Sequence, residues 1–324
     1  KNIQYQPVPA TGLPPGEVAV LFLSHKPGAN HPIGASLECP APPAVLLDTA
    51  AHNSARGKAF EVTSDTPITA YDIMPFGGAR SYLPSASLLY PRTAWGTNYV
   101  AVSTHTSSSG KAWVLLVGAA DNTTVTVAPP ITLPGGSGVA QAPAGAATKI
   151  TINAGETVQW LGADPTGAVF QSDKPIGLFT GNTYLRVATS TSPSAGGQDS
   201  AHQQIAHVKA LGSEYVGAGV VTRLGSLQPE SVMYRVMGVV DGTNLVYDPA
   251  PPPGAPMTLS AGQAVEFQTT SYFHVSSQDA QHPFAFTQYM PGTIGLNRPG
   301  CGPVPPFPNA TCGLGDEEWV NVMS

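Results

Sequence analysis

Short apolar runs separated by turn residues follow one another along the chain, and this spacing predicts strands rather than helices. An apolar run at residues 112–117 is followed by an alternating run at 121–127. Residues 232–237 and 241–247 repeat this order further along the chain, and residues 17–24 predict the first strand. We therefore predict an all-β fold.

A second pattern places an Asp two residues before a Pro, with an apolar run after it. It occurs at Asp65 and Pro67, again at Asp173 and Pro175, and in a weaker form before Pro283. Asp side chains bond nearby backbone groups and Pro fixes φ, so the chain is predicted to reverse at each of these repeat turns. The three prolines are spaced by 108 residues. This fixed period indicates a tandem repeat of one structural unit.

The repeat defines the predicted fold class, a tandem of β-sandwich domains built from a unit of about 108 residues. Residues 1–66 are predicted to form an entry segment and a partial β unit, 67–174 the first sandwich repeat and 175–282 the second. Residues 283–324 are predicted to start a further unit. A propeller is the alternative, but its blades require a period of about half this length.

Four dipeptides predict tight turns, because their residues tolerate the positive φ that two-residue turns need. Those at 121–122 (Asp-Asn) and 241–242 (Asp-Gly) predict one hairpin in each unit. Those at 154–155 and 261–262 (both Ala-Gly) predict a second. Each unit is therefore expected to contain two hairpins.

Composition restricts the possible partners of the protein more than it restricts the possible folds. The chain has 33 Pro and 35 Gly, only 10% charged residues and a net charge of −6. Few cations and a net negative charge argue against nucleic acid or an anionic membrane as a partner. No apolar run is long enough to predict a membrane-spanning segment, so no membrane insertion is expected.

Three cysteines and two sequons bear on the location of the protein. Cys301 and Cys312 bracket a Pro-rich loop that a disulfide would hold in place, which is typical of secreted proteins. Sequence alone allows three pairings, because Cys39 could replace either partner, and three buried free thiols are the alternative. Asn122 and Asn309 begin sequons and are candidate glycosylation sites. An extracellular or cell-surface location is predicted.

The sequence contains no motif that indicates catalysis. It lacks a nucleophile elbow, a Gly-rich phosphate loop and a Cys-x-x-Cys pair, so we predict no enzyme activity, no catalytic residue and no cofactor. His202 and His207, with Asp199 nearby, are the strongest candidate for a metal site. Positions five apart on a strand face opposite sides, so a polar loop between strands is preferred there. We predict no metal site.

An ordered set of motifs resembles a known family. These are Asp-Asn-Thr-Thr-Val-Thr-Val at 121–127, Ile-Asn-Ala-Gly-Glu-Thr-Val-Gln at 152–159, and Pro-Thr-Gly-Ala-Val-Phe-Gln-Ser-Asp-Lys-Pro-Ile-Gly-Leu-Phe-Thr-Gly at 165–181. Together they resemble the N-terminal domain of the IgG Fc-binding protein and its bacterial relatives, over residues 60–324. The resemblance implies a secreted or cell-surface binding and adhesion protein.

The ligand that the resemblance implies is a protein or a glycan on a surface or in extracellular matrix. No motif shows immunoglobulin binding. One alternative is a structural subunit of an extracellular filament, in which a strand of another copy completes a partial unit by self-assembly. Another is a carbohydrate-binding module with a platform of Trp and Tyr rings, although most of these residues lie in apolar runs that favour core packing.

Overall fold

The computed structural model describes residues 12–28, 39, 41–74, 84–105, 110–193, 198–292 and 317–324, and the backbone of 303–304 and 307–311. These residues form strands, turns and two 3₁₀ turns (Arg92–Ala94 and Val208–Ala210), and they contain no α-helix. The predicted all-β fold is therefore confirmed. The strands are β1 (Ala55–Lys58), β2 (Ala70–Met74), β3 (Ser85–Leu89), β4 (Gly96–Val100), β5 (Ala112–Gly118), β6 (Thr123–Ala128), β7 (Thr148–Ile152), β8 (Glu156–Leu161), β9 (Val169–Leu185), β10 (Asp199–Gln204), β11 (Glu214–Gly217), β12 (Val232–Gly238), β13 (Thr243–Asp248), β14 (Thr258–Leu259), β15 (Ala264–Thr269), β16 (Phe273–Ser277), β17 (Phe284–Met290), β18 (Pro303–Val304), β19 (Phe307–Thr311) and β20 (Glu318–Asn321).

The first β-sandwich consists of two layers that share the long strand β9. The N-terminal part of β9 pairs with β4 and β6, while its C-terminal part pairs with β5 and β10, all antiparallel. The β6 layer therefore has the order β4-β9-β6-β7, and the β5 layer has the order β1-β8-β5-β9 with β10 beside β9. With 17 residues, β9 is long enough to serve both layers, because a typical strand needs only about five or six.

Alternating side chains fill the space between these two layers. Val125 and Val127 of the β6 layer, and Leu116, Trp160 and Leu178 of the β5 layer, are all at most 1% exposed. Successive side chains of a strand point to opposite faces, so the intervening residues lie outside this core. Burial of each such side chain contributes about 1.5–3 kcal/mol, which makes the apolar contact the main force between the layers.

The second β-sandwich shows the same pairing pattern. Its β13 layer has the order β11-β16-β13-β14, and its β12 layer has the order β15-β12-β17-β20. Here β16 and β17 take the two places that β9 fills alone in the first sandwich. The core is more aromatic, since the ring of Tyr234 stacks on Phe267 at 5.6 Å and on Phe286 at 5.4 Å. Such ring pairs add about 0.5–1.5 kcal/mol each beyond the area they bury.

The structure corrects one of the predicted repeat turns. Asp173 and Pro175 lie inside β9, so the chain does not reverse there. The Asp173 carboxylate accepts a hydrogen bond from the Thr124 backbone N–H at 2.8 Å, and it therefore links two strands instead of closing a turn. Pro175 lies between the part of β9 that pairs with β6 and the part that pairs with β5, where its missing N–H is tolerated. By contrast, Asp65 lies at a bend before β2, and Pro283 directly precedes β17.

The predicted hairpins are wrong, although tight turns do occur at these dipeptides. The turn at 121–122 joins β5 to β6 and the turn at 154–155 joins β7 to β8, and in both cases the two strands belong to opposite layers. Asn122 has the expected positive φ, 51°. Asp121 Oδ1 accepts a hydrogen bond from the Ala154 backbone N–H at 3.1 Å and ties the two turns together. Turn residues specify a local reversal, whereas the buried faces decide which strands pair.

The N-terminal part of the chain contains fewer strands than its pattern predicts. Residues 17–24 form no strand, and Ser24 makes an isolated parallel bridge to Val45. Phe22, Leu23 and His25 form backbone hydrogen bonds with Ala44 and Val45, but a partner of two residues is too short to extend this pairing into a strand. Further along, β1 pairs with the edge of β8, and the β2–β3 hairpin packs against β10. These elements extend the first sandwich on the side of its β5 layer.

The predicted disulfide and one of the predicted glycosylation sites fall in a segment of which little is described. The disulfide between Cys301 and Cys312 lies outside the described residues, and Cys39 is half-buried. Asn122 is exposed at its turn, while for Asn309 only the backbone is described, in β19. The disulfide, both glycosylation sites, the 108-residue period and the domain limits stay predictions.

Candidate binding surface

Arg235 of β12 joins the second sandwich to the first. Its guanidinium donates hydrogen bonds to the backbone carbonyls of Ser103 and Thr104, at 2.5 and 2.9 Å. It also forms ion pairs with Glu266 at 3.0 Å and with Asp164 at 3.4 Å. Arg235 is only 7% exposed, so these partners replace the water that the charge loses on burial.

Glu266 of β15 is the acidic partner at the centre of this contact. Its Oε2 lies 2.7 Å from His105 Nδ1 of the first sandwich. Burial alone would raise the pKa of Glu266, but the His105 hydrogen bond and the Arg235 charge hold that pKa below its ordinary value. Burial also opposes the charged form of Arg235, while Tyr289, Asp164 and Glu266 raise its pKa. Both partners therefore stay ionised.

The rest of the contact between the sandwiches is tightly packed. Met237, Tyr289 and Trp319 of the second sandwich belong to the same apolar cluster as the core of the first. A Cβ on Gly167 would lie 2.8 Å from the carbonyl oxygen of Gly262, so the two backbones approach in a way that only glycine permits. This close packing fixes the orientation of the two sandwiches.

The outward side of the β13 layer is the candidate binding surface, here called the outer face (Glu214, Val216, Val246, Tyr272 and His274). Val216, Val246 and Tyr272 are 58%, 63% and 66% exposed. Val216 lies opposite His274 in the β11–β16 ladder, so the two side chains share one side of the layer. Tyr272 precedes β16 and, two residues before His274, points to the same side.

An ion pair crosses the middle of the outer face. His274 Nε2 lies 2.7 Å from Glu214 Oε1, and these side chains are 35% and 71% exposed. Exposed pairs of this kind contribute only about 0.2–1 kcal/mol to stability. A partner can therefore contact both side chains, and breaking their ion pair would cost the fold little stability.

An open cleft borders the outer face along β11. It has a volume of about 510 Å³ and is lined by residues 212–216, His274 and residues 322–324. Because β11 is the edge strand of its layer, one side of its backbone is not paired with β16. The hydrogen-bonding pattern of the ladder directs the N–H and C=O groups of Glu214 and Val216 to that side.

The corresponding surface of the first sandwich is less apolar. When Tyr99 of β4 is placed on Tyr215 of β11, Asn98 takes the place of Glu214, and in β6 Thr126 takes the place of Val246. Val100, at the place of Val216, is 9% exposed. Val169 takes the place of His274 and is 44% exposed, so the first sandwich presents one aliphatic side chain here, whereas the second presents two valines and a tyrosine.

The two histidines of the candidate metal site, His202 and His207, contact different partners. The His202 ring lies 3.0 Å from Ser85 Oγ, while the His207 ring packs edge-on against Tyr99 with centroids 6.2 Å apart. Burial lowers the pKa of His207 and favours the neutral ring. Among the described residues no three His, Cys, Asp or Glu side chains converge as metal ligands.

The aromatic residues divide into core and surface. Trp160 and Trp319 are 1% and 0% exposed, and Trp95 and Trp113 are half-buried, which agrees with the preferred interpretation of core packing. Tyr272 was not singled out from the sequence. The available signal was the pair Tyr272-Phe273, where adjacent aromatic residues at a strand start must point to opposite faces.

Two β-sandwiches held together by a buried contact, with an open sheet surface on one of them, define the class of this protein by its fold. The family described as IgGFc binding protein matches residues 85–324, a range that includes all the strands from β3 to β20, and the chain belongs to this family. The resemblance drawn from the repeated motifs is confirmed. Comparisons with curated proteins and with solved structures found no match. In the described part of the chain no helix is long and apolar enough to cross a membrane.

Proposed function

We propose that this chain is a non-enzymatic binding and adhesion protein, secreted or displayed at the cell surface, whose tandem sandwiches present the outer face to a protein partner. The observation that carries the proposal is the exposure of Tyr272, Val216 and Val246 on one side of one layer. Membership of a family whose name describes IgG Fc binding supports a protein ligand.

The chemistry of the outer face suits a protein interface. Tyrosine is enriched at interface centres, because its large ring loses little conformational entropy on binding and its hydroxyl can still form a hydrogen bond. Val216 and Val246 lie on either side of the central strand β16, so one partner surface can bury both together with the Tyr272 ring. The His274–Glu214 pair adds charges that orient the partner.

The contact between the sandwiches contributes by holding this surface still. Arg235 is buried and bonds Ser103, Thr104 and Asp164 of the first sandwich, and Glu266 bonds His105, so the second sandwich has little freedom to rotate on the first. A surface that is already ordered loses less entropy when it binds. The junction thus supports affinity without touching the ligand.

Surface plasmon resonance with the immobilised chain tests this proposal, with IgG Fc as the first probe and Fab fragments as the control ligand. Tyr272→Ala is expected to weaken Fc binding by at least tenfold, since removal of a central interface tyrosine typically costs about 2 kcal/mol or more. Val246→Lys should have a similar effect, because it places a charge where an apolar contact forms. Thr126→Lys, at the corresponding place of the first sandwich, is the matched control. Fc binding that survives both outer-face variants contradicts the proposal.

Glycan binding and self-assembly are the alternatives, and the same variants separate them. Binding to a glycan array that disappears in Tyr272→Ala would indicate a sugar stacked on the ring. A mass that grows with concentration in light scattering would indicate a filament subunit. We favour a protein, because Val216 and Val246 offer no hydrogen bonds to sugar hydroxyls.

A further inference from the structure

The two sandwiches begin with the same local arrangement. In the first, the Gly96 backbone N–H donates to the Tyr99 hydroxyl at 3.0 Å, and this hydroxyl donates to the Ile176 carbonyl at 2.6 Å. In the second, the Gly212 backbone N–H donates to the Tyr215 hydroxyl at 3.0 Å. That hydroxyl in turn donates to the carbonyl of the first residue of β17, at 2.8 Å. The strands β4 and β11 can therefore be compared residue by residue.

Equivalent segments of the chain approach this glycine in the two sandwiches. A Cβ on Gly96 would lie 2.5 Å from the His207 ring, and a Cβ on Gly212 would lie 2.0 Å from Ser324 Cβ. The contacts Ser87–Gln204 and Gln204–Asn321 both join residues 117 positions apart, which is also the separation of His207 and Ser324. His207 and Ser324 therefore hold equivalent places.

In the first sandwich, the edge of β4 is covered by the residues that follow His207. They form the 3₁₀ turn Val208–Ala210, which packs along β4. Val208 and Leu211 are partly buried and pack against the first apolar core. A turn with two aliphatic side chains three positions apart therefore fills this place.

In the second sandwich, the equivalent place is the cleft beside β11. It is open, and its volume of about 510 Å³ lies between residues 212–216 on one side and residues 322–324 on the other. Met323 is 62% exposed there, and the unpaired backbone side of β11 faces away from β16. The first sandwich thus shows what kind of segment this cleft can hold.

We infer that the cleft beside β11 binds a linker segment of the Val208–Leu211 kind, a 3₁₀ turn with aliphatic first and fourth positions, from a further β-sandwich unit of this family. The segment would cover the edge of β11 as Val208–Ala210 covers β4, and its two aliphatic side chains would fill the cleft between β11 and residues 322–324. A turn is expected rather than an added strand, because a turn occupies the equivalent place in the first sandwich. This inference does not depend on the ligand of the outer face.

A fused tail tests the inference on the full chain. The segment Val-Lys-Ala-Leu-Gly-Ser is added after Ser324, and the matched control tail is Ser-Lys-Ala-Ser-Gly-Ser. Hydrogen exchange of the Glu214 and Val216 amides is expected to be at least tenfold slower with the aliphatic tail than with the control tail. Equal exchange with the two tails would overturn the inference.

Two variants locate the effect. Met323→Lys places a charge in the lining of the cleft, at an exposed position. It is expected to abolish the slower hydrogen exchange caused by the aliphatic tail. Val221→Lys, at a position that is 90% exposed and does not line the cleft, should leave the slowing intact. Slowing that survives Met323→Lys would place the tail elsewhere and overturn the inference. Tyr272→Ala should change Fc binding but not the tail effect, so this inference and the proposed function can fail separately.

Discussion

The two sandwiches share one pattern of strand pairing but present different surfaces. Both have an antiparallel layer in which a Gly-x-x-Tyr strand forms the edge, and both connect their layers through the same tight turns. Yet Val100 is buried where Val216 is exposed, and Thr126 replaces Val246. The pairing follows from the buried faces, which both sandwiches need. The surface follows from what each sandwich contacts, and there they diverge.

The largest effect is expected from breaking the contact that joins the two sandwiches. Arg235→Ala removes the guanidinium partner of the half-buried Glu266 carboxylate, which keeps only His105, and the buried carbonyls of Ser103 and Thr104 lose their donor. Removal of one partner of a buried pair typically costs about 3–5 kcal/mol. Urea denaturation at pH 7 should show this loss in the free energy of unfolding.

The matched control for Arg235→Ala is Arg92→Ala. Arg92 pairs with Glu61 at 3.3 Å, but the side chains are 63% and 71% exposed. Exposed pairs contribute about 0.2–1 kcal/mol, so this variant should unfold nearly as the parent chain does. If the two arginine variants lose the same free energy of unfolding, Arg235 does not hold the two sandwiches together.

Much of the fold could be predicted because it depends on local alternation, whereas the remainder depends on pairing at long range. Val125 and Val127 are buried as their alternation predicts. Asp173 and Pro175 form a continuous strand because their neighbours are β6 and β5, which no local pattern reveals. Tyr272 is exposed because no described segment of the chain covers that side of the layer. The candidate site could not be predicted, since its exposure is decided by the packing of whole sandwiches.

A second prediction compares equivalent positions on the edge strands β10 and β20. Glu318 lies where the spacing of 117 residues places Ala201 in the first sandwich. Burial raises the pKa of Glu318 to about 7, although its hydrogen bond from the Trp319 N–H lowers it. The folded state therefore holds a proton that the unfolded chain releases near its ordinary pKa of 4.5. This contribution to stability is complete below pH 4.5 and is lost as pH rises towards 7.

Urea unfolding between pH 4.5 and pH 8 measures this effect. Each unit of pKa shift is worth about 1.4 kcal/mol, so the parent chain should lose about 3 kcal/mol of unfolding free energy over this range. Glu318→Gln should remove this loss. Glu61→Gln, which removes an exposed carboxylate, is the control and should leave the pH profile unchanged. A Glu318→Gln profile parallel to that of the parent chain would falsify the assignment.

The smallest expected effect comes from a matched pair of glycines. Gly155 and Gly262 are the second residues of the same turn in the two sandwiches, with φ of 69° and 74°. A Cβ on Gly155 meets nothing within 4 Å, whereas a Cβ on Gly262 would lie 3.3 Å from Gly167 Cα across the junction. Alanine at either position costs about 1–2 kcal/mol for the left-handed backbone. Gly262→Ala should cost roughly 0.5–1 kcal/mol more, because its neighbour must shift as well. The difference between the two urea midpoints, at equal m-values, reports that extra loss, and equal midpoints would show that the sandwiches are less closely packed at Gly167 than these distances imply.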